Sequence, residues 1–300
     1  MRILKYILLF LFIPTGMIYA QSDLLFSNYN INSIARNPAA IENNGYINAY
    51  LGAHQQWIGF DDAPNMQWVQ VSNFFEGLNM GLSLNIMNQS VGAAVTQNIK
   101  LGYNYQLYFK GGHRLSLGLG AGVYFRRLDF SKLVFEEEDQ SIPVTDERKT
   151  LPDFDFGAEY YYQNLTVGFA SNHITIFNSN ATLFKIPLQN HIYIDYQIKL
   201  SPEFIMTPRF DFFNSNSITS IGGSLDLNYD DKINAGIAYR HLTSLILRAG
   251  VKLGRSFYLN YAYDMGAGSF SSYNSGVHEI IIIGRFGKKN QSYNSPRFID

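Results

Sequence analysis

The residues that could bind a metal or move a proton are few, and their spacing works against both. Six histidines, at 54, 113, 173, 191, 241 and 278, are scattered without the short repeats of a metal site. His278 and Glu279 are neighbours, which on a strand point to opposite faces and cannot share one ion. The acidic string Glu136-Glu137-Glu138-Asp139 lacks the spaced oxygen ligands and turn glycine of a calcium loop, and reads as a solvated loop. Asp153, Asp155 and Glu159 share one face of a strand. Paired carboxylates can perform acid–base chemistry, but cations such as Arg114 and Arg126 are the expected counter-charges. Gly118, Gly120 and Gly122 alternate along a strand and open no helix, so they serve close packing rather than phosphate binding. Cysteine is absent, which removes disulfides, thiolate sites and a lipidated N-terminus. No catalytic, metal or cofactor-binding residue is expected, and the chain is read as a non-enzyme.

The elements that carry these residues alternate. Between His113 and Arg127, Leu115, Leu117, Leu119, Ala121, Val123 and Phe125 form one face, and Arg114, Ser116, Gly118, Gly120, Gly122, Tyr124 and Arg126 the other. The polar face is rich in glycine and charge of both signs, as in a barrel lumen, while the apolar face suits lipid. Fourteen such runs are expected: 45–57, 65–74, 77–87, 93–109, 113–127, 153–163, 164–172, 190–200, 203–213, 218–229, 231–240, 243–253, 255–264 and 276–286. Connections after even-numbered runs are short, such as Lys110 to Gly112, Ser201-Pro202 and Asp230. Those after odd-numbered runs can be long, notably 128–152, 172–189 and 265–275. Short periplasmic turns and long extracellular loops produce that parity. Phe109 and Tyr162 end downward strands, and Phe125 and Tyr263 upward ones, which fits two aromatic girdles. The fold expected is all-β, a transmembrane antiparallel barrel of about 14 strands. Lumen charges of both signs, among them Asp195, Arg209, Asp211, Asp226, Arg240 and Arg248, favour a filled barrel over an open pore.

Compartment and domains follow. Arg2 and Lys5, the apolar run 7–13, then Pro14, Gly16 and Tyr19-Ala20 make a secretory signal peptide, residues 1–20. Residues 21–44 are then a periplasmic N-terminal segment, 45–286 the outer-membrane barrel and 287–300 a periplasmic tail. With 21 tyrosines, 23 phenylalanines and a net charge of −1, nothing suggests nucleic acid, and outer-membrane lipid is the expected surround.

Three stretches carry a resemblance: Phe26-Ser27-Asn28-Tyr29 with Arg36-Asn37-Pro38-Ala39-Ala40; Gln56-Trp57-Ile58-Gly59-Phe60-Asp61-Asp62-Ala63-Pro64 with Gln67; and Tyr261-Ala262-Tyr263-Asp264 with Ser272-Tyr273-Asn274-Ser275-Gly276-Val277-His278-Glu279-Ile280. Together they resemble the PorP/SprF family of Bacteroidetes outer-membrane proteins over nearly the whole mature chain. Asp62 stands where the family usually has glycine, and Ser33 where proline is expected. The resemblance implies a component of the type IX secretion system, which exports proteins and in some species supports gliding motility. It implies periplasmic ring components and a peptidoglycan-linked protein as partners and, for some members, a secreted adhesin. Candidate partner-contact residues are Asn37, Pro38, Gln56, Trp57, Asp61, Ala63, Pro64, Tyr273, Asn274, Gly276, His278 and Glu279. Their structural readings compete: Asn37-Pro38 as a turn, Trp57 as an interfacial anchor, His278 and Glu279 in barrel closure. The alternative function is a channel or transporter for small or hydrophobic solutes. That reading requires a plug in the lumen, for which residues 21–44 are barely long enough.

Overall fold

The computed structural model describes residues 25–129, 147–174, 186–215, 218–266 and 275–287. Alternation becomes strand throughout. The strands are β1 Ile47–Gln56, β2 Asn65–Phe75, β3 Met80–Val91, β4 Ala94–Tyr108, β5 His113–Leu128, β6 Glu147–Tyr162, β7 Leu165–Asn172, β8 Gln189–Tyr196, β9 Ile198–Lys199, β10 Phe204–Ser215, β11 Ile218–Tyr229, β12 Ile233–Arg240, β13 Ser244–Leu253, β14 Phe257–Gly266 and β15 Val277–Phe286. β8 and β9 form one barrel strand interrupted at Gln197. Both keep a single register on β10, with Asp195 opposite Arg209 and Lys199 opposite Ile205. The break falls beside Pro208, which has no N–H for the ladder. The result is a closed antiparallel barrel of fourteen strands. Each strand pairs with its sequence neighbours, and β1 closes on β15 from Ile47–Phe286 to Gln56–Val277. Closure leaves no sheet edge to be satisfied inside a membrane.

The two ends differ as the parity argument requires. At one end, hereafter the turn end, tight turns follow β2, β4, β6, β9, β11 and β13. Asp230 and Asp231 both adopt φ 51° there, the twist that a short hairpin needs. The other, loop end carries the long connections 57–64, 129–146, 173–188 and 267–276, beside short ones at 92–93, 216–217 and 241–243. One strand departs from expectation. β6 starts at Glu147 rather than 153, and pairs with β5 up to Leu128–Glu147. Arg148, Lys149 and Thr150 are polar on both faces, so that stretch shows no alternation, yet the backbone ladder continues.

Faces sort as expected. Leu101, Leu119 and Ile237 stand out from the wall, whereas Asn104, Ser116, Tyr124 and Arg248 are buried inside it. Aromatic side chains ring the turn end, with Phe204 beside Tyr229 (4.6 Å), Phe257 beside Phe286 (5.7 Å) and Tyr162 stacked on His113 (4.1 Å). No helix among the described residues is long and apolar enough to cross a membrane.

The lumen is not a water-filled tube. Tyr50, Met66, Trp68, Tyr258, Ile281 and Ile283 form an apolar core inside the wall, covered by Phe26, Ile31 and Ile34 of the N-terminal segment. Residues 25–41 therefore lie within the barrel, and 42–44 lead out to the start of β1. The expectation of a separate periplasmic segment is corrected for this stretch. Its apolar side chains each gain roughly 1.5–3 kcal/mol by burial, which a free tail in water forgoes.

A lumen plug as the candidate functional site

The segment enters the described structure in the loop half of the lumen and winds down to the turn end, where β1 begins. Its first anchor is Glu279 on β15, fully buried. The carboxylate accepts the Ser27 N–H (2.9 Å), the Asn28 N–H (2.7 Å) and the Asn28 side-chain amide (3.0 Å). It also meets His54 Nδ1 of β1 at 2.8 Å. His54 Nε2 in turn meets the Gln56 amide at 3.3 Å. One carboxylate thus ties the plug to both strands of the β1–β15 closure. Phe26 packs edge-on against Trp68 at 4.9 Å, and Gly52 leaves the space in which the Trp68 ring lies.

The second anchor is Tyr29. Guanidinium groups of Arg36, Arg248, Arg240 and Arg209 stand 4.9, 4.8, 5.6 and 5.8 Å from its ring centre. Such contacts contribute about 0.5–2 kcal/mol each, more when desolvated. Every one of these arginines has a carboxylate: Arg36–Asp211 at 3.2 Å, Arg209–Asp195 at 2.5 Å, Arg240–Asp264 at 3.0 Å and Arg248–Asp226 at 3.1 Å. The plug completes the set. Arg36 and Arg209 donate to the Tyr29 carbonyl (3.2 and 3.4 Å), and Arg240 donates to the Phe26 carbonyl. Asn30 bridges Asp226 and Arg248 at 3.0 and 2.9 Å.

The third anchor is neutral. Asn37 Oδ1 accepts the Ala39 N–H at 2.9 Å and caps the 3-10 turn Pro38–Ala40, with proline preset for the first position. Its amide donates to the Tyr193 hydroxyl at 3.0 Å. The turn is pressed onto β5 and β6 where they lack side chains: a Cβ on Gly118 would strike the Ala39 backbone, and one on Gly157 would strike Asn37. Asn104 donates to the Ala39 and Ile41 carbonyls (3.0 and 3.1 Å), Ser116 to Ala39 (2.6 Å) and Gln106 to Ile41 (3.1 Å).

The family-motif residues divide. Asn37, Pro38 and Glu279 are plug contacts inside the lumen. Gln56, Trp57, Asp61, Ala63, Pro64 and Gly276 gather at the loop end of the β1–β15 closure. There the Trp57 N–H donates to the Gly276 carbonyl at 2.9 Å. Trp57 and Asp62 have left-handed backbones, φ 47° and 52°, so this turn is sharply folded. His278 faces outward, 2.7 Å from the Tyr261 hydroxyl and tilted against the Tyr263 ring at 4.9 Å. Tyr273, Asn274, the acidic string 136–139, the signal segment 1–20 and the tail 288–300 lie outside the described residues.

Two of the carboxylates on β6, Asp153 and Asp155, find a different counter-charge from the one expected. Lys100 of β4 meets Asp153 at 2.8 Å and Asp155 at 2.7 Å, reaching across β5 where Gly120 and Gly122 raise no side chain. Arg114 instead lies over the Tyr161 ring at 3.7 Å. Asp153, Asp155 and His173 converge closely enough to hold a metal ion, and the Lys100 ammonium pairs with both of these carboxylates. Glu159 is buried and accepts the Tyr193 hydroxyl at 2.7 Å and that of Tyr161.

Sequence reading singled out Phe26 to Tyr29 and Asn37-Pro38 as motif, but not their partners His54, Asn104, Ser116 and Arg240. One signal was present: Phe26, Ile31 and Ile34 are apolar in a manner that suits a packed segment better than a free tail.

Comparison with known proteins bears on this arrangement. Residues 18–283 match the family described as type IX secretion system membrane protein PorP/SprF. No curated protein gives a significant match. Among solved structures, the CymD monoaromatic hydrocarbon channel is similar with a TM-score of 0.53 at 12% identity, over 91% of this chain and 96% of that one. The KdgM porin aligns with a TM-score of 0.39 at 9% identity, over 80% of this chain and 99% of that one. These likenesses concern the barrel fold. With its closed membrane barrel and a match across nearly its whole length, the chain belongs to the PorP/SprF family of type IX secretion membrane proteins, outer-membrane β-barrels.

Proposed function

We propose that the protein is a non-enzymatic, occluded barrel of the type IX secretion system that links periplasmic machine components, or an exported protein, to the outer membrane. The observation that carries this reading is the plug. The chain's own residues 26–41 fill the lumen and are fastened to opposite walls by Glu279, the arginine–aspartate pairs and Asn104. A solute path through such a lumen requires these contacts to be undone. The turn end then faces the periplasm, where the tail 287–300 meets ring or peptidoglycan-linked partners. The loop-end cluster of Gln56, Trp57, Asp61, Ala63, Pro64 and Gly276 is the proposed contact for an exported adhesin.

Deleting the gene is expected to abolish surface delivery of at least one large protein while the outer membrane stays intact. Normal delivery in a strain without a duplicate gene would overturn the reading. Affinity capture from detergent extract, followed by mass spectrometry, should recover secretion-ring proteins or an adhesin.

A channel for small hydrophobic solutes is the second reading. Three observations favour it: the lumen plug that such a channel requires is present, the fold is shared with a monoaromatic hydrocarbon channel, and a cavity of about 110 Å³, lined in part by Phe26, Met87 and Phe213, lies against the plug. Planar-bilayer recording separates the two. A silent barrel supports the scaffold, and stable large conductance supports the channel.

A further inference from the structure

The turn end of the outer wall carries a basic notch that the plug and the family motifs do not involve. Lys232, in the turn before β12, and Arg255, in the turn before β14, flank a concave floor of Ile233 and Val251. These two residues are direct partners in the β12–β13 ladder, and both stand on the outer face, 52% and 41% exposed. Aromatic pairs bound the floor on either side: Phe204–Tyr229 on β10 and β11, and Phe257–Phe286 on β14 and β15.

The charges do not cancel. Lys232 meets Asp230 at 2.5 Å, but both side chains are largely exposed, where such a pair holds weakly. Lys252 turns toward the lumen, to Asp231 (3.2 Å) and the Tyr258 ring (5.1 Å). Arg255 has no ion-pair partner among the described residues. One unmatched positive charge remains, just beyond the aromatic row.

We infer that this notch binds a membrane phospholipid, with Arg255 and Lys232 on the phosphate and an acyl chain along Ile233 and Val251 between the aromatic pairs. An aromatic row marks the level of the headgroups. A guanidinium presents two parallel donors to phosphate oxygens. The floor is continuous with the lipid-facing wall, which favours a lipid over a soluble anion. The assignment stands independently of the secretion reading.

The test uses the full-length barrel, delipidated in detergent and then exposed to mixed phosphatidylethanolamine–phosphatidylglycerol micelles, with retained lipid counted by native mass spectrometry. One tightly held phospholipid is expected. A Lys232→Gln/Arg255→Gln double variant should lower its retention about tenfold. Lys110→Gln, in another turn of the same end, should leave it unchanged. Heat-modifiable gel mobility verifies that each variant is folded, and Arg255→Lys with Lys232 intact provides a milder variant. Equal retention by the folded double variant overturns the proposal. So does displacement by inorganic phosphate at the lipid's own concentration, which marks a free-anion site, or equal retention of a phosphate-free glycolipid.

Discussion

Residues 26–36 and 37–41 share one lumen, yet different forces hold them. The first half is gripped by ionised groups: Glu279 on the Ser27 and Asn28 amides, and four arginine–aspartate pairs around Tyr29. The second is gripped by neutral amides, a hydroxyl and notches left by glycine. A buried charge is tolerable only while its partners remain, so removing one costs far more than the pair contributes. Neutral contacts are lost one at a time, each at the scale of one hydrogen bond. The upper plug should therefore release abruptly and the lower plug by degrees.

The sharpest test is Glu279→Ala, which strands the Ser27 and Asn28 amides and His54. We expect a loss of about 3–5 kcal/mol in the hold on the upper segment. Hydrogen exchange should quicken at 27–30 and stay slow at 39–41. Equal loosening of both halves would dissolve the distinction. Next is Arg209→Met, which leaves Asp195 buried and unpaired, at a cost of about 3 kcal/mol. Adding Asp195→Asn should restore most of it, and a thermal unfolding series of the single and double variants reads the coupling. Gly118→Val attacks the lower half. The new side chain meets the Ala39 backbone, and overpacking of this kind costs about 1–3 kcal/mol. Faster exchange is expected at 39–41 alone, and protection there equal to the parent would show that the notch is dispensable. The smallest effect is expected from Asn104→Ala. It removes bonds to the Ala39 and Ile41 carbonyls, at about 1 kcal/mol, a modest downward shift in unfolding temperature.

The family motifs gain a common physical meaning from this architecture. Phe26 to Tyr29, Gln56 with Trp57, and Gly276 with Glu279 are distant in the chain, but meet where β1 closes on β15. The Trp57–Gly276 backbone bond closes the loop end of that junction, and Glu279 secures the plug beneath it. Barrel closure and lumen filling are coupled through one carboxylate.

Legibility from sequence varied with the range of the cause. Gly118 was readable as a close-packing position because it stands on the lumen face of an alternating strand and brings no side chain there, though what packs on it was not. Lys100 as the counter-ion of Asp153 and Asp155 was hidden, because the pairing skips a whole strand and depends on two glycines in between. The early start of β6 was hidden because polar residues on both faces leave no periodic trace.

Alternation by itself determined the strands, their inward and outward faces, and the short-turn and long-loop ends. Side chains on successive strand residues point to opposite faces, so that information is local. Tertiary structure alone decided where residues 25–44 reside and what Glu279 is for. Asn28 and Glu279 are separated by 251 positions, and only closure of the barrel brings the amide within 2.7 Å of the carboxylate. The buried Glu279 carboxylate and the Ser27 and Asn28 amides belong to distant segments. The closed wall makes them partners, because neither can be buried at an acceptable cost without the other.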